Sequence, residues 1–315
     1  MMSESVAVIL AAGQSRRMKT KLAKVMHEVC GRPMLSYVVD ACRTAGVGKI
    51  IIVVGYGKEQ IVERFGGCSD IVFSEQAEQK GTGHAVMCCK EHLAGFSGQV
   101  LILCGDAPLV RSEMIATLME QHLADKAAVT LATTVMDDPF GYGRIARDSD
   151  GNIQGIVEHN DCSEEQLGIT EINPGYFCFD NKVLLEVLDE IKPDNAKGEY
   201  YLTDALHIAL AKGYKATAVT AVAAEDAMGV NNRVQLSEAS SIMRHRILAL
   251  LMDNGVTIVD PGNTWIDNRV VIGQDTVIEP FTYIHGATCI GKNCRIGPFG
   301  YLRDAAIEDG TERKN

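Results

Sequence analysis

The sequence predicts an α/β fold: a doubly wound, mixed but mostly parallel sheet, then a linker helix, then a short parallel β-helix. Three observations carry this reading. Over the first two thirds, β-branched apolar runs alternate with helical patterns, the signature of βαβ units. From Gln235 to Asp253, apolar Leu236, Ala239, Met243, Ile247, Leu250 and Leu251 fall three or four apart, as one face of a helix requires. Beyond it, Ile266, Ile272, Ile278, Ile284, Ile290, Ile296 and Leu302 recur every six residues, the period of a β-helix with one inward side chain per face.

Each element has its own signal. Val6–Leu10, Lys49–Val54 and Val100–Cys104 are the clearest strands, and Met34–Ala45, with Leu35, Val38, Val39 and Cys42 at helical spacing, is the crossover between the first two. Asn231 and Asn232 are capping candidates for the linker helix and Gly255 closes it. The domain boundaries predicted are 1–230, 231–254 and 255–315. The next hexad position is Glu308, so the repeat is expected to lapse there, leaving about two coils and an uncapped end.

At 315 residues, 46% of them hydrophobic, the chain has material for two domains and a sizeable core. The net charge of −11 argues against a broad nucleic-acid or anionic-membrane surface, so any phosphate must be held locally. The ten cysteines are scattered and form no C-x-x-C pair, as expected of reduced thiols. The N-terminus lacks a basic n-region and no stretch approaches a membrane span, so a soluble, cytoplasmic protein is expected.

Ligands of doubly wound sheets bind beyond the carboxyl ends of the strands. There the sequence reads Ala11-Ala12-Gly13-Gln14-Ser15-Arg16-Arg17-Met18 and Gly105-Asp106-Ala107-Pro108. A small, glycine-bearing turn exposes backbone N–H groups, and Arg17 or Lys24 can complete a polyphosphate cradle. The loop matches neither G-x-G-x-x-G nor the P-loop pattern. Gln76 to Ala85 is a polar glycine-bearing loop opening a helix, suited equally to reading a base edge or to simple capping; His84 reads as a packing or solvent-facing residue. Asp106, at the end of a buried strand, is the carboxylate best placed for magnesium, and Asn231 is a candidate second oxygen donor.

Taken together and in order, these segments resemble the bacterial bifunctional N-acetylglucosamine-1-phosphate uridyltransferase/glucosamine-1-phosphate acetyltransferase family. The resemblance continues through Gly141-Tyr142-Gly143-Arg144-Ile145, Ile156-Val157-Glu158-His159, Glu171-Ile172-Asn173, Gly198 to Asp204 and Gly229 to Arg233. It implies a Rossmann-like nucleotidyltransferase domain followed by a left-handed β-helix. It implies that Leu10, Ala11, Ala12, Gly13 and Lys24, with Cys104 and Gly105, hold the nucleotide, that Arg17 sits on the triphosphate, and that Gln76 and Gly81 recognise uracil with Thr82 close by.

By the same resemblance Gly143, Glu158 and Asn173 surround an N-acetylglucosamine moiety, while Glu199, Tyr201 and Thr203 line the sugar pocket, with Asn231 nearby. Asp106 and Asn231 become ligands of Mg2+, and Arg17, Lys24 and Asp106 the catalytic set. The implied reaction joins UTP to N-acetylglucosamine-1-phosphate, releasing UDP-N-acetylglucosamine and pyrophosphate. A homotrimer through the β-helix is implied, and acetyl transfer, which rests on coils beyond Asn315, is expected to be absent.

Three departures from the family pattern fall on four positions: Ser15 and Arg16 replace Gly and Thr, Ala23 replaces a proline, and Pro174 follows Asn173. Two other readings stay open. One is a thymidylyl- or adenylyltransferase acting on another sugar-1-phosphate; the other is a non-catalytic hexapeptide-repeat assembly protein that merely binds nucleotide.

Overall fold

The computed structural model describes residues 4–14, 16–195 and 197–314; the departure at Ser15 lies outside them. The chain forms two compact units, residues 4–27 with 34–232 and residues 28–33 with 233–314.

The N-terminal unit is built on a nine-stranded sheet. Its strands are β1 (Ser5–Leu10), β2 (Lys49–Val54), β3 (Ile71–Glu75), β4 (Gln99–Cys104), β5 (Val129–Val135), β6 (Gly143–Arg147), β7 (Ile153–Val157), β8 (Glu171–Asp180) and β9 (Ala216–Val219). The spatial order is β9-β5-β8-β4-β1-β2-β3, with the β6–β7 hairpin attached to β8. β1 pairs in parallel with both β2 and β4, while β8 runs antiparallel to β4 and β5. The sheet is therefore mixed, as expected.

Alternation along β1 shows why its strands read as continuous apolar runs. Ala7 and Ile9 pack with Leu35, Val38 and Val39 of the helix Met34–Thr44 on one face. Val6 and Val8 pack with Val100, Ile102, Phe177 and Phe179 on the other. Both faces are covered, so both side-chain sets are apolar. The chain leaves β1 for β2 on one side and returns to β4 on the other, which creates a topological switch point at the end of β1. Because Leu10 stands opposite Cys104, the loops after these strands emerge side by side.

The C-terminal unit contains the helix Arg233–Asp253 and three parallel sheets stacked coil upon coil. Ile266 pairs with Ile284 and Ile284 with Leu302; Ile272 pairs with Ile290; Ile278 pairs with Ile296. All seven hexad residues from Ile266 to Leu302 are buried, which is the inward ladder the period predicted. Truncating Ile284 to alanine removes the middle rung of one ladder and is expected to cost about 2–5 kcal/mol of stability, read from denaturant unfolding.

Two expectations need correction here. The repeat does not lapse at Glu308. It shortens by one residue, so that Ile307 pairs with Ile290 and Arg313 with Ile296, leaving Glu308 exposed. The shortened turn passes through Asp304, at φ +48°, whose Oδ1 accepts the Ala287 N–H at 2.8 Å. In the helix, Leu250 is 63% exposed and Leu248 is buried in its place beside Ala239, Met243 and Ile247. Among the described residues no helix is long and apolar enough to cross a membrane.

Candidate active site

A cleft of about 440 Å³ opens in the N-terminal unit at the carboxyl ends of β1 and β4, a size suited to a small-molecule ligand. Its floor includes Leu10, Ala11, Ala12, Gly13, Cys104 and Asp106. Ala11 N–H is tied to the Val53 carbonyl at 2.9 Å. The backbone N–H groups of Ala12 and Gly13 donate to no acceptor among the described residues, which leaves them for an anion. Gly105 lies beneath this floor rather than on its surface. Its N–H reaches the Leu10 carbonyl at 3.0 Å, and an added Cβ would stand 3.0 Å from that same oxygen, so glycine permits the close approach of the two loops.

At one end of the cleft, charged and polar side chains meet. Lys24 Nζ donates to Asp106 Oδ2 and, at 3.1 Å, to Asn231 Oδ1. Arg17 Nη2 donates to the same Asn231 oxygen at 2.9 Å. Asn231 is held in turn by its Nδ2 donating to the Gly229 carbonyl, and the Val230 N–H bonds the Asp106 carbonyl at 2.9 Å. The Asn231 side-chain oxygen thus serves both Lys24 and Arg17 in the cleft.

The oxygens of Asp106 and Asn231 converge on one positive centre, the Lys24 ammonium. That is donor chemistry that fits a hard divalent cation, which completes its shell with water and phosphate oxygens. Among the described residues no group of three or more His, Cys, Asp and Glu could hold a metal, so these two side chains are the protein donors available there.

Lys24 opens the short turn Lys24–Met26. Ala23, before it, adopts φ −55° and ψ 135°, backbone values that a proline would also take. Its N–H instead bonds Gln60 Oε1 at 2.8 Å, so a hydrogen bond pins the turn where the family pattern uses a ring.

On one wall, Gln76 is buried at 3% exposure. Its Nε2 donates to the Gly81 carbonyl at 3.0 Å and lies 3.1 Å from His84 Nδ1, so both amide hydrogens are spent and Oε1 remains for a ligand. His84 is therefore neither mere packing nor a solvent-facing ring; it orients Gln76. Gly81 has φ +109°, and a Cβ there would meet the Tyr200 carbonyl at 2.5 Å, so only glycine fits. Thr82 Oγ1 accepts the Leu202 N–H at 3.0 Å and the Gly83 N–H bonds Tyr200 O at 2.8 Å, locking this loop to the segment carrying Glu199 and Tyr201, which both line the cleft.

Glu158 lines the cleft beside this segment. Thr203 Oγ1 donates to its Oε1 at 3.2 Å. Burial pushes its carboxyl above the ordinary value, against the lowering effect of Thr203 and of Lys197. Gly143 makes room beside it: a Cβ would meet Ile156 Cγ2 at 2.8 Å and Glu158 Oε2 at 3.7 Å. Thr203 and Gly143 thus support the wall rather than line it.

Asn173 does not line the cleft; its Oδ1 accepts the Gly175 N–H at 2.9 Å. This turn lies in the register shift of β8 between Ile172 and Tyr176, where Pro174 has no ladder bond to forfeit. Gln79, Gly141, His159, Asn160 and Lys197 also line the cleft. The sequence carried Gln79, Gly141 and His159 within motifs but gave none of the five a role, because only the fold brings these loops to one rim.

Replacing Glu158 with glutamine is expected to raise the melting temperature at pH 7 by about 2–4 °C, since it removes a buried charge while keeping the shape. The sign follows from linkage: the folded protein holds this proton more tightly than the unfolded chain, so stability falls as pH rises through the raised value. The gain should shrink as pH is lowered toward the ordinary carboxylate range, and a constant gain at all pH values would refute a charge origin.

A switch-point cleft with an open backbone cradle and an oxygen pair facing cations is the architecture of a nucleotidyltransferase domain. The model of the MobA-like NTP transferase domain matches residues 7–192, and that of the bacterial transferase hexapeptide (six repeats) matches residues 263–304. The bifunctional protein GlmU of Geobacillus sp. (strain WCH70) is 49% identical over 310 residues, covering 98% of this chain and 67% of the relative. GlmU of Geotalea daltonii and of Listeria monocytogenes are each 47% identical over 91% of the chain, covering 63% and 62% of those proteins. The chain belongs to the GlmU family and spans about two thirds of the length of these relatives.

Proposed function

We propose that the chain transfers a uridylyl group from UTP to N-acetylglucosamine-1-phosphate, giving UDP-N-acetylglucosamine and pyrophosphate. The observation that carries this reading is the meeting of Lys24, Arg17, Asp106 and Asn231 beside the N–H groups of Ala12 and Gly13, which donate to no acceptor among the described residues. In this proposal a phosphate oxygen of the acceptor attacks the α-phosphorus in line and pyrophosphate leaves, with no covalent enzyme intermediate. Ala12 and Gly13 N–H groups orient the nucleotide phosphates, and Arg17 and Lys24 neutralise charge on the triphosphate and the leaving group.

Asp106 Oδ2 and Asn231 Oδ1 would hold Mg2+, which when bound supplies charge neutralisation at phosphate oxygens. Gln76 Oε1, with the Gly81 turn and neighbouring Thr82, accepts from the uracil edge. Glu158, Tyr201 and Glu199 contact the sugar, with Thr203 and Gly143 shaping that wall, Asn173 behind it, and Cys104 and Gly105 completing the nucleotide floor.

In this reading residues 1–230 are the transferase domain, 231–254 a linker helix and 255–315 part of a β-helix that assembles as a homotrimer in the cytoplasm. The stacked, exposed pair Phe281 and Phe299, with ring centroids 5.2 Å apart, and Tyr283 stacked on Tyr301 give the β-helix an aromatic face suited to self-association.

The test is pyrophosphate release from UTP, CTP, ATP and dTTP, each with a panel of sugar-1-phosphates, with and without Mg2+. Release only from UTP with N-acetylglucosamine-1-phosphate and Mg2+ is expected. Release from another pair, or from none, would overturn the assignment.

A further inference from the structure

Arg144, on β6, is 2% exposed. Its Nη1 donates to the Tyr142 carbonyl, its Nη2 lies 3.4 Å from His159 Nδ1, and its Nε is buried without a partner. No carboxylate pairs with it among the described residues. A guanidinium withdrawn from water without a counter-ion is costly, and the two groups it does reach belong to the two segments that rim the cleft beside Glu158. Gly141 precedes Tyr142 on one rim, and His159 and Asn160 form the other.

The chemistry of this contact fixes more than position. A guanidinium can only donate, so His159 Nδ1 must accept, and the neutral ring then carries its proton on Nε2. Nε2 has no hydrogen-bond partner among the described residues and is not sealed from solvent. The edge-on contact with Phe140, at 4.5 Å between centroids, restrains the ring further.

We propose that His159 is an acceptor-binding residue, its Nε2–H donating to an oxygen of the sugar phosphate, and that Arg144 is a positioning residue that sets the orientation and tautomer of that ring. The assignment of the ligand rests on the uridylyl-transfer reading above.

Steady-state kinetics on wild type, His159→Ala, His159→Gln, Arg144→Met and the double variant Arg144→Met/His159→Ala test it. Loss of one neutral hydrogen bond should raise KM for N-acetylglucosamine-1-phosphate about five- to tenfold, with KM for UTP nearly unchanged. His159→Gln, which keeps an N–H donor, should recover most of the loss. Arg144→Met should shift the same constant, and the double variant should be no worse than His159→Ala alone. An unchanged acceptor KM in His159→Ala, an equal rise for UTP, or multiplying effects in the double variant would overturn the proposal.

Should Arg144→Met fail to fold, the 15N signals of His159 in the wild type decide the positioning half. Protonation at Nε2 is expected, and protonation at Nδ1 refutes it. Movement of those signals on adding N-acetylglucosamine-1-phosphate decides the binding half without turnover. If the wild type releases no pyrophosphate from any pair, the uridylyl-transfer reading fails, while these spectra still judge Arg144 and His159 on their own.

Discussion

Replacing Asp106 with alanine should lower kcat by about 10²–10³-fold or more and leave the fold intact. Asp106 stands in the turn after β4, its side chain 17% exposed and bonded to Lys24 rather than packed among apolar groups. Its loss removes an oxygen donor and little packing. The measurement is pyrophosphate release across a Mg2+ titration, alongside a melting curve. A variant that melts within a few degrees of wild type, yet turns over normally at low Mg2+, would end the metal assignment. Asp106→Asn, which keeps the shape and one oxygen, should fall between the two.

Lys24→Ala is the second large effect, again about 10²-fold or more in kcat. Its ammonium occupies the point on which Asp106 and Asn231 converge. To neutralise a triphosphate it must exchange those oxygens for phosphate ones. Under the proposed metal assignment, lysine and a divalent cation would compete for the same two donors. The variant should bind Mn2+ more tightly than wild type in the absence of nucleotide, read by electron paramagnetic resonance, even as turnover collapses. Weaker Mn2+ binding in the variant would show that Lys24 helps to hold the site open rather than competing for it.

The features visible in the sequence were those set by local period. The seven hexad residues could be placed because one inward side chain per face admits nothing but a small set of apolar residues at that spacing. The loops after β1 and β4 could be paired because buried strands are nearly continuous apolar runs whose ends announce themselves. What could not be read were contacts between segments far apart in the chain. His84 meets Gln76 only because the Gly81 turn folds back, and Asn231 reaches Arg17 across 214 positions. The shortened coil at Ile307 escaped because an extrapolated period cannot show where a turn has lost a residue.

Among the departures from the family pattern, Ala23 and Pro174 acquire physical explanations from Gln60 and from the β8 irregularity. Of Lys197, His159 and Asn160, the sequence carried only His159 within a motif, and it gave that ring no role.

The short hairpin 28–33 has a consequence for how the chain folds as it is made. It belongs to the C-terminal unit: Cys30 Sγ donates to the Ser240 carbonyl at 3.5 Å, the Asn268 N–H bonds the Cys30 carbonyl at 3.1 Å, and Gly31 lies against Asp267. During synthesis from the N-terminus these six residues emerge early, yet the segments they pack against appear some two hundred residues later. The hairpin must wait as an unpaired guest in the nascent chain, and the C-terminal unit cannot close its core until both ends of the molecule exist. Such long-range closure is slow, so a cut after Asn232 would divide the sequence cleanly while leaving the N-terminal piece with a hairpin that has lost its seat.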